Sequence, residues 1–512
     1  DTISEKTSAN GVAVDGVTIK DGNVGATGTA TSVAGIPLFS DTTNGSIYTH
    51  DVSGTDSTAQ HNTAYGIAAL DAITTGDHIT AIGSEAGSAN TTGYSNTFIG
   101  REAGKANTEG FNNTFVGRGA GQANTTADSN TFIGDVAGGA VTTGGNNIMI
   151  GHLAGDGFDT ETANLGIGKQ ALGGAIAGGE YNIAIGNGTL DALTSADFNT
   201  AVGYQAGTAV TTGGNNTVVG YTAGNSMTDD TGNVLIGYRA GGALTDSNNV
   251  VIGADAARQG TTHSANVIIG MNAAANGVVT GDNNVVIGKD AGLSFTSANG
   301  NVVLGMEAGE AMASSDGNTL VGFQAGKALN YDGDSYNVIM GYQAGLSLTN
   351  AAYNTLIGGF AGDGYDTENH NTAVGYLALS GPVAGGEYNV AVGNYTLDAL
   401  TSGDYNTIIG YEAGSATTTG SENTGLGADS LKANTEGAYN VAIGYRALDT
   451  NTTGSFNVAV GRRALDSNET SGSSVAIGSS ALESSTGANN TAVGHQAASA
   501  ITTASENVYI GR

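Results

Sequence analysis

The chain of 512 residues has no cysteine and no tryptophan, and its only prolines are Pro37 and Pro382. Without cysteine there are neither disulfides nor thiolate metal sites. With aromatics at 6% and no tryptophan, one large globular core is excluded, and burial must be shared among many small layers. Basic residues are scarce as well. Fifteen Lys and Arg stand against 46 Asp and Glu, a formal charge of −31 that repels phosphates and anionic lipid and disfavours a nucleic-acid partner. No apolar run approaches 18 residues, so nothing reads as a membrane-spanning helix. The 85 glycines are abundant, but they follow no triplet period and proline is rare, which excludes collagen. The chain opens Asp1-Thr2-Ile3 without Met or signal peptide, which reads as processing or a fragment.

What is present is a repeat. Asn96–Asn112, NTFIGREAGKANTEGFN, is followed from Asn113 by NTFVGRGAGQANTTADS. Taking the Gly of N-T-x-I/V-G as a mark gives 27 marks from Gly66 to Gly511, at intervals of 17 residues and rarely 16, 18 or 19. Asn stands four residues before the mark in 25 of 27 copies, Ile79 and Ser474 being the exceptions. Ala stands three after it in 23 of 26, and the next residue is nearly always Gly, Leu or Ala. Below, positions are counted from the mark, so that these Asn and Ala are −4 and +3. Such a period predicts a quasi-one-dimensional array in which each unit touches its neighbours.

Within one unit the β-branched and aromatic N-T-F-I-G reads as a strand ended by glycine. The following x-x-A-G-x-A-x-T reads as a second short extended piece. Gly content argues against helix. The fold expected is all-β, a narrow parallel β-solenoid of about 27 rungs. At about 4.8 Å per rung it would extend on the order of 130 Å. Each Asn, as at Asn96, Asn113, Asn130 and Asn147, would lie over the Asn of the rung below in an amide ladder. Residues 1–54 lie outside the repeat. Val12, Val14, Val17 and Ile19 around Asp15-Gly16 predict short strands and a tight turn for attachment or capping, followed by a Gly-rich connector; 55–512 is the repeat shaft. The array grew by block duplication, because the segment from Gly155 recurs from Gly362 with its one-residue insertion in place.

Position −2 is apolar or Gly throughout. With −1 pointing into the rung, alternation turns −2 outward. Phe98, Phe115, Phe132, Met149, Val218, Leu235, Ile268, Leu320, Ile339 and Leu356 are therefore expected to form an inter-chain face packed on identical copies. Two further columns turn aromatic along the chain. Tyr336, Tyr353, Tyr388 and Tyr405 precede the Asn, and Tyr411 and Tyr445 follow the mark. Such rows stack on one another or contact glycans. The acidic clusters Asp156, Asp159, Glu161 and Asp363, Asp366, Glu368 have the composition of general-acid pairs or calcium ligands but match no calcium-loop pattern. Acidic turns on a solvated surface are the simpler reading, with calcium the one cofactor kept in view. The seven histidines lie in different rungs, and the Gly-rich segments have no helix to cradle a phosphate.

Ser474-Val475-Ala476-Ile477-Gly478 with Ala481 resembles the head repeat of trimeric autotransporter adhesins. Asn199–Gly207, NTAVGYQAG, is similar to repeats of phage tail fibres, and Ile3–Gly22 resembles virion fibre proteins. The resemblance covers 55–512 and implies left-handed β-rolls associated as trimers with a surface-attachment role. No heptad stalk or membrane-barrel segment accompanies the repeat, which favours a phage fibre shaft over a bacterial surface adhesin or extracellular filament. An enzyme is not expected. A remote alternative is ice binding through the Thr column Thr97, Thr114 and Thr131, which gives way to Val at Val250, Val267, Val285 and Val302. Unpaired strand edges at the two ends need covering. The N-terminal segment suits one; the other, at Arg512, calls for further sequence, a partner or end-to-end assembly.

Overall fold

The computed structural model describes all residues except 1–11, 15–16, 21–22, 25–30, 34–35, 42–44, 50–57, 175–177 and 383–384. The Asp15-Gly16 turn, the proposed 54/55 boundary and, at the two insertions, Ala177 and Ala384 therefore lie outside the described residues. The chain divides into two compact units, Asp1–Ile236 and Gly237–Arg512. Both are parallel β-solenoids, about 27 turns in all, and no described residue is helical. Repeat strands number 11 in the first unit, from Thr63–Tyr65 to Val234–Ile236, and 16 in the second, from Val250–Ile252 to Val508–Ile510.

Each strand is three residues long and pairs in register with its counterpart one turn away. Thr114, Phe115 and Val116 lie opposite Thr131, Phe132 and Ile133. In the first unit Val12–Val14 pairs antiparallel with Val17–Lys20, the two strands expected from the sequence. Ile36–Asp41 then lies antiparallel on Ser46–Tyr48, which is itself parallel to Thr63–Tyr65. The open edge of the first turn is thus paired by the chain's own N-terminal strand.

The second extended piece does not form. After the mark the backbone runs through tight turns, with Ala103 N–H donating to the Gly100 carbonyl at 3.3 Å and Asn107 N–H to that of Gly104 at 3.0 Å. Positions +2 and +4 hold left-handed φ, +61° at Glu102 and +57° at Gly104, so the chain bends where a strand would run straight. Bonds between turns continue even here, Gly104 N–H reaching the Ala120 carbonyl at 2.9 Å. Among the described residues, a second parallel pair appears only between Ser315–Asp316 and Gly333–Asp334.

The faces of the strand are the reverse of the expectation. Phe98, Phe115, Phe132, Met149, Leu235, Leu320, Ile339 and Leu356 are fully buried within the single chain, as, almost completely, are Val218 and Ile268. They are the solenoid's core, not an inter-chain face. Positions −3 and −1 point outward instead. The interior is completed by Ala at +3, by residue +4, and by +7 (Val141, Phe158, Leu244). Positions −2 and +4 share one volume. In most turns where −2 is large, +4 is Gly, and a Cβ on Gly104, Gly121 or Gly155 would stand 2.4–2.6 Å from Phe98, Phe115 or Met149. In most turns where −2 is small, as at Gly166, Ala184, Ala373 and Ala442, +4 is the buried leucine Leu172, Leu190, Leu379 or Leu448. Ala81 with Gly87 and Ala201 with Gly207 are small at both positions, and there neighbouring turns fill the space: a Cβ on Gly87 would meet Phe98 at 2.6 Å, and one on Gly207 would meet Leu190 at 3.0 Å.

The mark is glycine for a separate reason. Gly117 has φ +143°, and a Cβ there would lie 2.1 Å from the Gly134 carbonyl oxygen of the next turn. Gly117→Ala is expected to cost more than about 2 kcal/mol and to raise amide exchange in the flanking turns. Gly119→Ala, at position +2 where most turns carry a side chain, should cost under about 1–2 kcal/mol. Equal exchange profiles for the two variants would refute this account of the mark.

Candidate functional site

Three sets of side chains repeat with the turns: a buried polar lock, two buried acidic anchors, and the exposed rows. The lock is the −4 asparagine. The Oδ1 atoms of Asn96, Asn113 and Asn130 accept the N–H of Asn113, Asn130 and Asn147 at 2.9, 2.9 and 2.8 Å. Their Nδ2 atoms donate to the carbonyls of Gly110, Ala127 and Gly144 at 2.7, 2.8 and 2.9 Å. Each side chain thus bridges the corner of the following turn. The ladder runs mainly from amide to backbone, with amide-to-amide contact in places, such as Asn216 Nδ2 to Asn199 Oδ1 at 3.1 Å. Ser474 substitutes as an acceptor for Asn490 N–H, at 3.3 Å. A parallel track at +8 has Thr91, Thr108 and Thr125 hydroxyls donating to the next threonine carbonyl at 3.0–3.1 Å. The sequence signal for it was the recurrent Thr that ends x-x-A-G-x-A-x-T.

The acidic clusters resolve into backbone anchors. Glu161 is buried, with Oε2 accepting the N–H of Asp159 and Thr160 and Oε1 that of Gly178 at 2.8 Å. Glu368 repeats this with Asp366, Thr367 and Gly385. Oε2 of each glutamate thus braces its own turn, and Oε1 reaches the inserted loop. The sequence signal was Glu at +10, a Gly position, in both duplicated blocks. Asp156 and Asp363 are half-buried, and desolvation raises their pKa values. Among the described residues, no three His, Cys, Asp or Glu are placed to hold a metal ion.

The outer surface carries the exposed rows. On the strand face, −1 is aliphatic and open in both units: Ile82, Ile99 and Ile133 in the first, Leu304, Ile409, Leu426 and Ile477 in the second. Thr, Val or, at Ile148, Leu165 and Ile183, a larger aliphatic residue lies beside it at −3, half-buried in most turns. Before the Asn, position −5 has left-handed φ, from +46° at Tyr336 to +71° at Gly317. The column holds Tyr, Phe, His, Asn, Ser, Ala, Glu and Gly and no Val, Ile or Thr, which left-handed φ disfavours. There Tyr353, His370, Tyr388 and Tyr405 form a face-to-face stack, with centroids 4.8–5.0 Å apart and planes within 6°. Tyr336 leans on its end at 6.0 Å and 33°. The faces inside this stack are covered by neighbouring rings, so its interior offers edges rather than stacking platforms.

No family model matches this sequence, and no curated protein is similar to it. The surface must be read from its own chemistry. On the other flank of the strand face a second row lies at +1 and +2: Phe323, Tyr342, Phe360, Tyr376, Tyr395 and Tyr411. Phe323 and Tyr342 stack at 5.2 Å, and every later contact is edge-to-face, at 67–84°. Tyr411 belongs to this row. Tyr445, two turns on, is exposed. No helix among the described residues is long and apolar enough to cross a membrane.

One buried group departs from the polar lock. His263 occupies the +10 position and is fully buried, with Nδ1 at 3.1 Å from both Asn249 Oδ1 and Asn266 Nδ2. Its Nε2 has no partner. Burial lowers its pKa to about 4, against the opposing pull of Asp246 and Asp282. Above pH 6.5 the ring is neutral both folded and unfolded. As pH falls from 6.5 to about 4 the unfolded chain takes the proton first, so roughly 3 kcal/mol of local stability is lost. Amide exchange around residues 249–281 should accelerate between pH 7 and 4.5 beyond its intrinsic pH dependence. His263→Gly should abolish that excess, and an excess that persisted would refute the assignment.

Proposed function

We propose that this chain is a non-enzymatic structural fibre protein of a phage virion, a shaft of self-associating solenoids presenting a host-recognition surface. The observation that carries the reading is the outward strand face, mostly aliphatic at −1 with Thr or Val beside it in most turns of each unit. Leu304 is 42% exposed and Leu426 47% in the single chain. An apolar stripe of this kind is covered in stable proteins, and a repeat is best covered by an identical repeat. The reason for self-association therefore stands while its residues change, from position −2 to −1 and −3. Three-fold association and a left-handed roll follow from the resemblance to adhesin heads and tail fibres. A bacterial surface adhesin or extracellular filament would use the same face.

Outward Thr ranks at Thr80, Thr97, Thr114 and Thr131 keep one further reading in play, the binding of ice by the same face. Sedimentation equilibrium separates these. The fibre reading expects a mass about three times the 50.4 kDa chain, and the variant Ile287→Lys/Leu304→Lys should be a folded monomer, because these side chains lie on the contact rather than in the core. A wild-type monomer that depresses freezing would replace the fibre with an ice binder. Antibody labelling of intact particles against cell envelopes then separates virion from bacterial surface.

A further inference from the structure

The uncharged part of the outer surface is wider than the strand. Across the 27 copies, the outward positions −5, −3 and −1 hold only two charged residues in 81, Glu422 and Glu506. The 12% charged share of the whole chain would place about ten there. Charge returns on both borders. Position −6 carries Asp77, Asp128, Asp197 and Asp404 among others, and positions +1 and +2 carry 17 charged residues in 53. Some of these form ion pairs, such as Lys289 with Asp290 at 2.9 Å and Arg239 with Asp255 at 2.7 Å. The band from −5 to −1 is therefore edged with charge, as the centre of an interface is edged by its polar rim.

Aromatic rings lie inside this band, at −5. Phe198 is 57% exposed and Phe456 60%. Each has a face on its tyrosine neighbour, Tyr181 at 5.3 Å or Tyr439 at 4.8 Å, with planes within 6°. A phenyl ring has no hydroxyl to keep in water, so aliphatic side chains can cover it with no polar group to desolvate.

Area favours the wider band. The 16 repeat strands of the second unit, at about 4.8 Å each, make a face about 77 Å long. Three strand residues give it a width of about 10 Å and roughly 770 Å², whereas the five residues from −5 to −1 give about 16 Å and roughly 1,200 Å². A stable interface takes about 800 Å² from each partner. The strand alone sits at that limit, and the band passes it within one unit.

We infer that copies of this chain associate through the whole band, with the −5 row packed against a second copy and the +1/+2 row left outside as the solvated rim. The inference rests on the reading of the strand face as a contact between copies, and it adds the −5 rings to that contact. A second copy is the occupant because its band repeats at the same spacing and is bordered by charge in the same way.

Hydroxyl-radical footprinting of the full chain, read by mass spectrometry, tests it. In the single chain Tyr353, Tyr388 and Tyr405 at −5 are 43–59% exposed, and Tyr342, Tyr376 and Tyr445 at +1 are 43–52% exposed. In the assembled wild type the −5 set should react at least about fivefold more slowly than the +1 set. In the Ile287→Lys/Leu304→Lys monomer the two sets should react alike. Tyr405→Lys/Tyr439→Lys should raise the dissociation constant by more than about tenfold with amide exchange unchanged, because a lysine there would bury its charge. Thr419→Lys/Thr453→Lys, exposed at +9 outside the band, should stay within about threefold. An assembled wild type whose two rows react equally, or a Tyr405→Lys/Tyr439→Lys variant that assembles as tightly as wild type, overturns the band and leaves the strand contact standing. A wild type that sediments as a monomer removes the strand contact and the band with it.

Discussion

Each turn must satisfy its backbone through the turn above and the turn below, and the −4 asparagine is where this demand is hardest to meet. At that corner the chain leaves a left-handed residue and enters the strand, so one N–H and one carbonyl point inward, away from any counterpart in the sheet. A buried amide group left unpaired costs about 1–3 kcal/mol. The Asn of the preceding turn supplies an acceptor and a donor at the separation these two groups need, as Asn113 does for Asn130 N–H and the Ala127 carbonyl. Ser474 retains only the acceptor, and it is one of just two departures from Asn in the repeat. The lock fixes register, and fixed register makes every other column face its own copies.

Uniform columns follow, each for a local reason. At the mark, the next turn's carbonyl occupies the space of a Cβ. At −5, left-handed φ disfavours β-branched residues, and none stands there. Positions −2 and +4 vary together in most turns, because Phe with Gly and Ala with Leu both fill one layer. Since stability in such an array is local, an exchange at one layer is felt by its neighbours and little further. Whole blocks can therefore be copied, insertion included, provided the Glu161 or Glu368 anchor travels with the inserted loop.

The period, the parallel stacking and the importance of Asn were legible because they recur in fixed columns. The direction of the strand faces was not. Positions −2 and −1 are both apolar, and two-residue alternation separates two faces without saying which is inside. The deciding signal was present at +4, the residue noted as Gly, Leu or Ala, whose size in most turns runs opposite to that at −2. Only an interior position feels its partner's volume in this way. The expected second strand failed for a different reason. Small residues at +3 and +6 are compatible with an extended chain and with consecutive tight turns alike, and left-handed φ at Glu102 or Leu172 leaves little trace in residue type. The acidic clusters were chemically suggestive because Glu161 stands near Asp156 and Asp159, but only the structure shows that its oxygens are already taken by backbone donors.

A filled interior constrains where function can reside. The core columns close on one another at every turn, and the polar groups within them bond mostly to backbone, so recognition has to occur on the outside and has to be periodic. Periodicity matters energetically. A contact too weak to hold a ligand at one turn is repeated at known spacing along the unit, and each further contact forms at high effective concentration once the first is made. The same logic applies on the two kinds of outer surface. The aliphatic strand face repeats a modest exposed area from turn to turn, and the aromatic rows repeat a ring at successive turns. Selection for more turns strengthens both without inventing a new residue, which is what block duplication supplies.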